Sequence, residues 1–378
     1  MRYLLLLSCF HYARQILGIL MNHLINFSDS LTLIFLMFFG EFLGGLSVVS
    51  YHYFYFKKRK ILSENFYGIK IIHGKAQMKK ADKLYKIILL IFFASSFDFI
   101  EFSIVYSIPN KSIISPTADQ RLYIIMTIAS SLLCTFALRL KMGRHHNFSL
   151  IGMGICSLII FIIELIYKSI GKDFSKFILV YFLKFSRLVF VSFTDVTEKY
   201  LVEYNFADKF KVIGTEGFFG IILCLIYSLI INKNPINQIN ENYKEFDIGK
   251  KILMVLFLIL FFILSAGLNL YKIICNAIYN PMAKTLPAYF LNPIFIIYYF
   301  IFENDFTSGG EKNYFYFIIN IILSIIIDFL AFIYNEFLIL NCFGLKDDTH
   351  YGISNRAINN TLIVLEEEEI EGDNSFED

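Results

Sequence analysis

The sequence predicts an all-α integral membrane protein of about ten transmembrane helices, each of roughly 20 residues, built as two inverted five-helix repeats. Three observations carry that expectation: an apolar composition, long apolar runs of spanning length, and short strings that recur about half a chain apart. Of the 378 residues 57% are apolar and 17% charged, where a soluble domain carries about 25% charged residues. With 43 Phe gathered in long runs and a mean hydropathy of +0.60, a soluble globular protein is excluded. The six cysteines stand singly in apolar surroundings, without the close spacing of a metal cluster or disulfide framework, and are expected as small buried hydrophobes.

Apolar runs between polar punctuation place spans near 31–56, 83–107, 118–139, 149–168, 176–196, 212–232, 251–275, 284–302 and 314–341. The first 20 residues form a tenth, short or degenerate helix, because Arg14 and Gln15 interrupt its apolar run. Short cytoplasmic loops collect Lys and Arg, so the basic segment from Lys57 to Lys86 and the loop with Arg139, Lys141 and Arg144 are assigned to the cytosol. Ten helices then leave both termini cytosolic. The chain divides into a first repeat over 1–172, a second over 173–343, and an acidic tail over 344–378 that reads as solvated and disordered.

Two strings define the repeat. Glu41 is followed four residues later by Gly45, as Glu216 is by Gly220; Ser115-Pro116-Thr117-Ala118-Asp119 opens the fourth span, and Asn280-Pro281-Met282-Ala283-Lys284 opens the ninth. Five helices per half is an odd number, so the halves insert with opposite orientation and a binding site is expected at the midplane between them.

Ionisable groups inside spans cost about 2.5 to 3.5 kcal/mol or more and normally face a cavity or each other, which makes them the candidate substrate-binding or coupling residues. Glu41 and Glu216 occupy equivalent repeat positions beside glycines; the competing reading is a helix-to-helix hydrogen bond. Asp98 and Glu101 share one helix face, as do Lys184 and Arg187, and the two pairs carry opposite charge. Such pairs would neutralise one another in an empty gate, unless they are purely structural salt bridges or Lys184 snorkels to the interface. Arg121 and Lys284, at matching ends of the fourth and ninth spans, are candidates for holding an anionic group, with interfacial snorkelling as the alternative. Asn269 and Lys272, with Asn276, line one face of the eighth span.

No GxxxxGK[ST] string, HExxH or nucleophile elbow occurs, so ATP-driven pumping and intramembrane hydrolysis have no support, the chain is not expected to be an enzyme, and no cofactor or metal is expected. The expected partners are a small-molecule solute and the lipid bilayer, with a second copy of the chain as the candidate protein partner and nucleic acid excluded.

Leu36 to Phe42 (LMFFGEF), Glu198-Lys199-Tyr200 and above all Val212 to Gly220 (VIGTEGFFG) resemble solute carrier family 35, the nucleotide-sugar-transporter relatives of the drug/metabolite transporter superfamily, and most closely its F-type branch. Asp98, Ser103 and Tyr106 fall in the register of that branch's third span. Glu101 stands where the branch usually has Gly, and Asp119-Gln120-Arg121 matches its fourth-span motif loosely. The resemblance covers about 31–343 and implies the drug/metabolite transporter fold, moving a small organic solute such as a nucleotide sugar across an endomembrane by alternating access. The rival expectation is a non-transporting membrane adaptor or sensor that keeps the fold, told apart by whether the paired charges line a cavity or are sealed away.

Overall fold

The computed structural model describes residues 2–25, 27, 30–56, 67–72, 75–80, 82–107, 122–168, 174–233, 235–278, 292–302, 307–308, 311–349 and 351–353. The helices are α1 (Arg2–Ile25), α2 (Ser30–Phe56), α3 (Leu84–Ser107), α4 (Tyr123–Ala137), α5 (Arg144–Lys168), α6 (Phe174–Lys199), α7 (Lys209–Ile230), α8 (Pro235–Glu245), α9 (Ile248–Ile278), α10 (Asn292–Phe302) and α11 (Tyr314–Tyr334). Seven described helices, α2, α3, α5, α6, α7, α9 and α11, contain stretches long and apolar enough to cross a membrane, and α4 is a shorter apolar helix. The chain is a multi-pass membrane protein. Its outward faces fit that solvent: Phe136, Leu229 and Ile230 are each at least three-quarters exposed, which only a lipid surround makes favourable.

Two short antiparallel hairpins interrupt the helical pattern, β1 (Tyr67–Ile72) with β2 (Lys75–Lys80), and β3 (Thr307–Ser308) with β4 (Glu311–Lys312). The first lies in the basic connection between α2 and α3, where Ile69, Ile71 and Ile72 supply β-branched residues that fit a strand better than a helix end.

Three expectations are corrected. The first helix is not short, since α1 runs unbroken for 24 residues through Arg14 and Gln15, although it is not among the described helices apolar enough to count as a span. Straight-chain polar residues are good helix formers, so they lower hydropathy without breaking the helix. The tail is not solvated from its start, because Leu345 and Thr349 are buried and the Arg144 amide donates to Asp348 at 3.1 Å. Residues 354–378 lie outside the described residues. Of the six cysteines, four are buried as expected, but Cys9 and Cys342 are exposed.

Local signals set the helix starts. Asp208 accepts from the amides of Phe210 at 2.9 Å and Lys211 at 3.3 Å and so caps α7, while Asn313 accepts from the Tyr316 amide at 2.9 Å and caps α11. The last turn of α6 widens into a π-helical turn, Tyr200–Tyr204, whose Tyr200 hydroxyl donates to Asp82 at 2.9 Å just before α3.

In the core, α2 crosses α7, α1 packs on α9, α3 packs on α6 and α7, α4 packs on α6, and α5 packs on α11. The α1–α9 contact joins Leu4, Leu7, Leu268 and Cys275, with Phe10 stacked on Tyr271 at 5.4 Å. The α3–α6 contact stacks Phe97 on Phe190 and Phe193, and the Thr194 hydroxyl donates to the Ala94 carbonyl at 3.3 Å.

Candidate functional site

The charged residues that the spans bury meet where α2, α3, α6, α7 and α9 converge. On α9, Lys272 holds its ammonium 2.9 Å from Glu198 Oε1, 3.3 Å from Asp98 Oδ2 and 3.7 Å from Asp195 Oδ1. One turn further along, the Asn276 amide donates to Glu198 Oε2 at 2.6 Å and to Asp195 Oδ1 at 3.3 Å. Three carboxylates therefore share one ammonium and one amide. Asp195 and Glu198 are essentially without exposure, so the α6 side of the cluster is shielded from bulk water. Lys199 reaches toward the same helix, donating to the Asn276 carbonyl at 3.4 Å while pairing with Glu203 at 2.8 Å.

A second pair joins α3 to α6. Arg187 Nε donates to Glu101 Oε1 at 2.9 Å, and Arg187 Nη2 donates to the Tyr123 hydroxyl of α4 at 3.1 Å. The guanidinium also lies over the Tyr123 ring, 5.6 Å from its centre. The spacing of the α3 acids explains why they part company: residues three apart share a face but lie on successive turns, so Glu101 meets α6 while Asp98 meets α9.

Glu41 and Glu216 stand on either side of the α2–α7 crossing. Glu41 Oε1 accepts from the Asn269 amide at 2.5 Å, whereas Glu41 Oε2 and Glu216 Oε1 are buried with no hydrogen-bond partner among the described residues. The Glu216 carbonyl accepts from the Ser95 hydroxyl at 2.9 Å, which ties α7 to α3.

These groups border a cavity of about 120 Å³ between α1, α3, α4, α6 and α9. Its polar lining is His11, Arg14, Asp98, Glu101, Tyr123, Arg187, Asn269 and Lys272; its apolar lining is Leu7, Phe102, Met126, Val191 and Leu268. The expected residues are thus partly reunited. Asp98, Glu101, Arg187, Asn269 and Lys272 line one cavity, and Glu41 touches it through Asn269. Lys184 is buried but is not among the lining residues, and Asp98 pairs with Lys272 rather than with the α6 basic pair. Arg121 and Lys284 lie outside the described residues.

Sequence reasoning missed Asp195, Glu198, Arg14 and Tyr123 as site residues. For Asp195 a signal was present: it precedes Glu198 by three residues, the same acid pair that drew notice at Asp98 and Glu101. The pair at Glu101 gives a direct test. Arg187→Met alone is expected to cost about 3 to 5 kcal/mol, because Glu101 stays buried and unpaired, whereas Arg187→Met with Glu101→Leu should recover most of that loss. Thermal unfolding of the purified single and double variants measures the coupling, and strictly additive losses would contradict the pairing.

The fold is similar to that of a solved structure described only as "Crystal structure of protein", at a TM-score of 0.52 and 12% identity, over 89% of this chain and 94% of that one. At that identity the likeness concerns the fold alone. No family model matches the sequence, and no curated protein matches it.

Proposed function

We propose that the protein is a secondary transporter that moves a small organic solute across an endomembrane by alternating access, with the ten-helix, two-repeat architecture and cytosolic termini expected from its sequence. The observation that carries this reading is that the ion pairs are not sealed away from space: Asp98, Glu101, Arg187 and Lys272 all line the same cavity between the helices. An adaptor that merely kept a fold would gain nothing from charges bordering a void. A transporter uses them, because each pair can be broken only when a solute or a rearranged partner replaces the lost one.

Helix packing supports the repeat. With α8 set aside as a connecting helix, exchanging each helix for the one five places on turns the α1–α9 contact into α6–α3, and α2–α9 into α7–α3. The same exchange turns α2–α3 into α7–α9 and α4–α5 into α10–α11, while α2–α7 and α5–α11 map onto themselves. This is the pattern of a pseudo-two-fold axis through the α2–α7 crossing, where Glu41 and Glu216 lie. The resemblance to solute carrier family 35 points the same way, toward a nucleotide sugar or related metabolite. Glu41 and Glu216, each with a buried carboxyl oxygen that has no hydrogen-bond partner among the described residues, are the coupling residues in this reading.

The test is uptake by proteoliposomes of the purified chain across a panel of nucleotide sugars, phosphorylated metabolites, carboxylates, amino acids and organic cations. Saturable uptake of one class, reduced at least about tenfold in Glu216→Gln, is the expected result. A well-folded protein that takes up nothing in the panel would overturn the reading in favour of an adaptor or sensor.

A further inference from the structure

We propose that Arg14 is the anion-binding residue of the cavity and receives the carboxylate or phosphate end of a small organic solute. The inference deepens the transport reading and rests on it. Arg14 lies midway along α1 and lines the cavity, and its hydrogen-bond partner is the thioether sulfur of Met37 at 3.7 Å. A guanidinium carries five N–H donors, and a thioether is a weak acceptor, so nearly all of its donor capacity is unspent.

The other cations of the cavity are committed. Arg187 is taken by Glu101 and Tyr123, and Lys272 by three carboxylates. Glu41 and Glu101 are near enough to feel the charge of Arg14, but among the described residues no carboxylate lies within ion-pair distance of it. Of the three Arg and Lys side chains lining the cavity, Arg14 is thus the one that no carboxylate among the described residues holds by a direct ion pair. A charge at such depth is retained where water or a ligand solvates it, and a planar fork suits a carboxylate or phosphate better than any neutral group.

The remaining lining sets the solute's other end. Leu7, Phe102, Met126, Val191 and Leu268 form an apolar wall, and the Tyr123 ring stands edge-on to His11. At about 120 Å³ the cavity falls below the roughly 300 to 1,000 Å³ of drug-sized pockets. In this conformation it suits one small ring or a short carbon chain bearing a single anionic group; a whole nucleotide sugar would need a wider state of the same cavity.

The probe is radiolabelled benzoate, with its uncharged counterpart benzamide, bound at equilibrium to the purified full-length chain in detergent. Wild type is expected to bind benzoate saturably, benzamide at least about tenfold more weakly, and inorganic phosphate should compete. Arg14→Ala should lose benzoate affinity by about tenfold or more, with Arg14→Lys between the two. Equal binding of benzoate and benzamide, no saturable binding of benzoate by wild type, or unchanged benzoate affinity in Arg14→Ala would overturn the proposal. The comparison on wild type decides the matter even if the variants fail to fold. Displacement of benzoate by phosphatidic acid would assign the site to a lipid headgroup and overturn the solute. Saturable benzoate binding by a protein that takes up nothing in the proteoliposome panel would leave the anion site standing and overturn transport. Uptake of tetraethylammonium unaffected by Arg14→Ala would keep transport and overturn the anion site.

Discussion

Lys272→Met is expected to cost the protein about 3 to 5 kcal/mol and to abolish uptake. The ammonium lies within 3.7 Å of carboxylates from two other helices, Asp98 on α3 and Asp195 and Glu198 on α6. Removing it leaves three buried acids crowded against one another, two of which also accept from the Asn276 amide. The penalty is the exposure of each acid to its neighbours' charge in a medium that screens poorly, which is larger than the net contribution of the pairs themselves. The conservative exchange should behave differently. Lys272→Arg keeps the charge but replaces a compact head with a planar fork that cannot meet three carboxylates from different directions, so a smaller loss is expected. Neutralising the acids alongside, as in Lys272→Met with Asp98→Asn and Glu198→Gln, should restore much of the stability without restoring uptake. Thermal unfolding followed by a thiol-reactive dye is a suitable readout, because Cys134, Cys156, Cys224 and Cys275 are buried in the fold and become reactive on opening. A Lys272→Met protein that melts with wild type would show that the ammonium does not hold the cluster together.

How much of this site could be read from the sequence depends on where each residue sits relative to its own helix. Glu41, Asp98, Glu101, Arg187, Glu216, Asn269 and Lys272 stand inside apolar runs, so their cost in lipid announces them whatever they touch. Asp195 and Glu198 stand where the apolar run 176–196 gives out, so hydropathy alone does not single them out. In the structure α6 continues to Lys199 and through a π-helical turn to Tyr204, which carries both acids into the bundle. Arg14 was discounted for the opposite reason: it lowers the hydropathy of α1, yet a helix packed against α9 and facing a cavity does not need an apolar side all round. Which acid meets which base was not legible at all. The choice of Lys272 rather than Lys184 for Asp98 follows from the packing of α6 against both α3 and α9, contacts between segments far apart in the chain that no local pattern encodes. The hairpin at 67–80 was hidden by a composition read only for its charge.

Gly45→Ala and Gly217→Ala, each the addition of a single methyl group, are expected to destabilise the protein by about 3 kcal/mol or more, while Gly18→Ala should be neutral or slightly stabilising. The contrast rests on what the added carbon meets. At Gly45 it would lie 2.6 Å from the Gly214 amide nitrogen and 2.7 Å from the Phe210 carbonyl oxygen. At Gly217 it would press on the Phe42 amide nitrogen and lie 2.7 Å from the Phe38 carbonyl oxygen. These neighbours are backbone, which cannot rotate away as a side chain can, so α2 and α7 would have to separate. At Gly18 nothing lies within 4 Å, and the better helix propensity of Ala is felt alone. In lipid there is no hydrophobic drive to hold two helices together, so close backbone approach through small residues supplies much of the contact energy. The crossing also fixes the chemistry beside it. A carbon at Gly217 would come within 2.9 Å of Glu41 Cβ, and Glu216 is the preceding residue, so any separation of α2 from α7 moves both acids apart. Uptake in a Gly217→Ala protein that still folds should therefore fall further than its stability, whereas Gly18→Ala should transport as wild type does. Paired thermal unfolding and proteoliposome uptake on the three variants separates the two effects, and wild-type behaviour at Gly45→Ala and Gly217→Ala would mean that the helices do not cross at this distance.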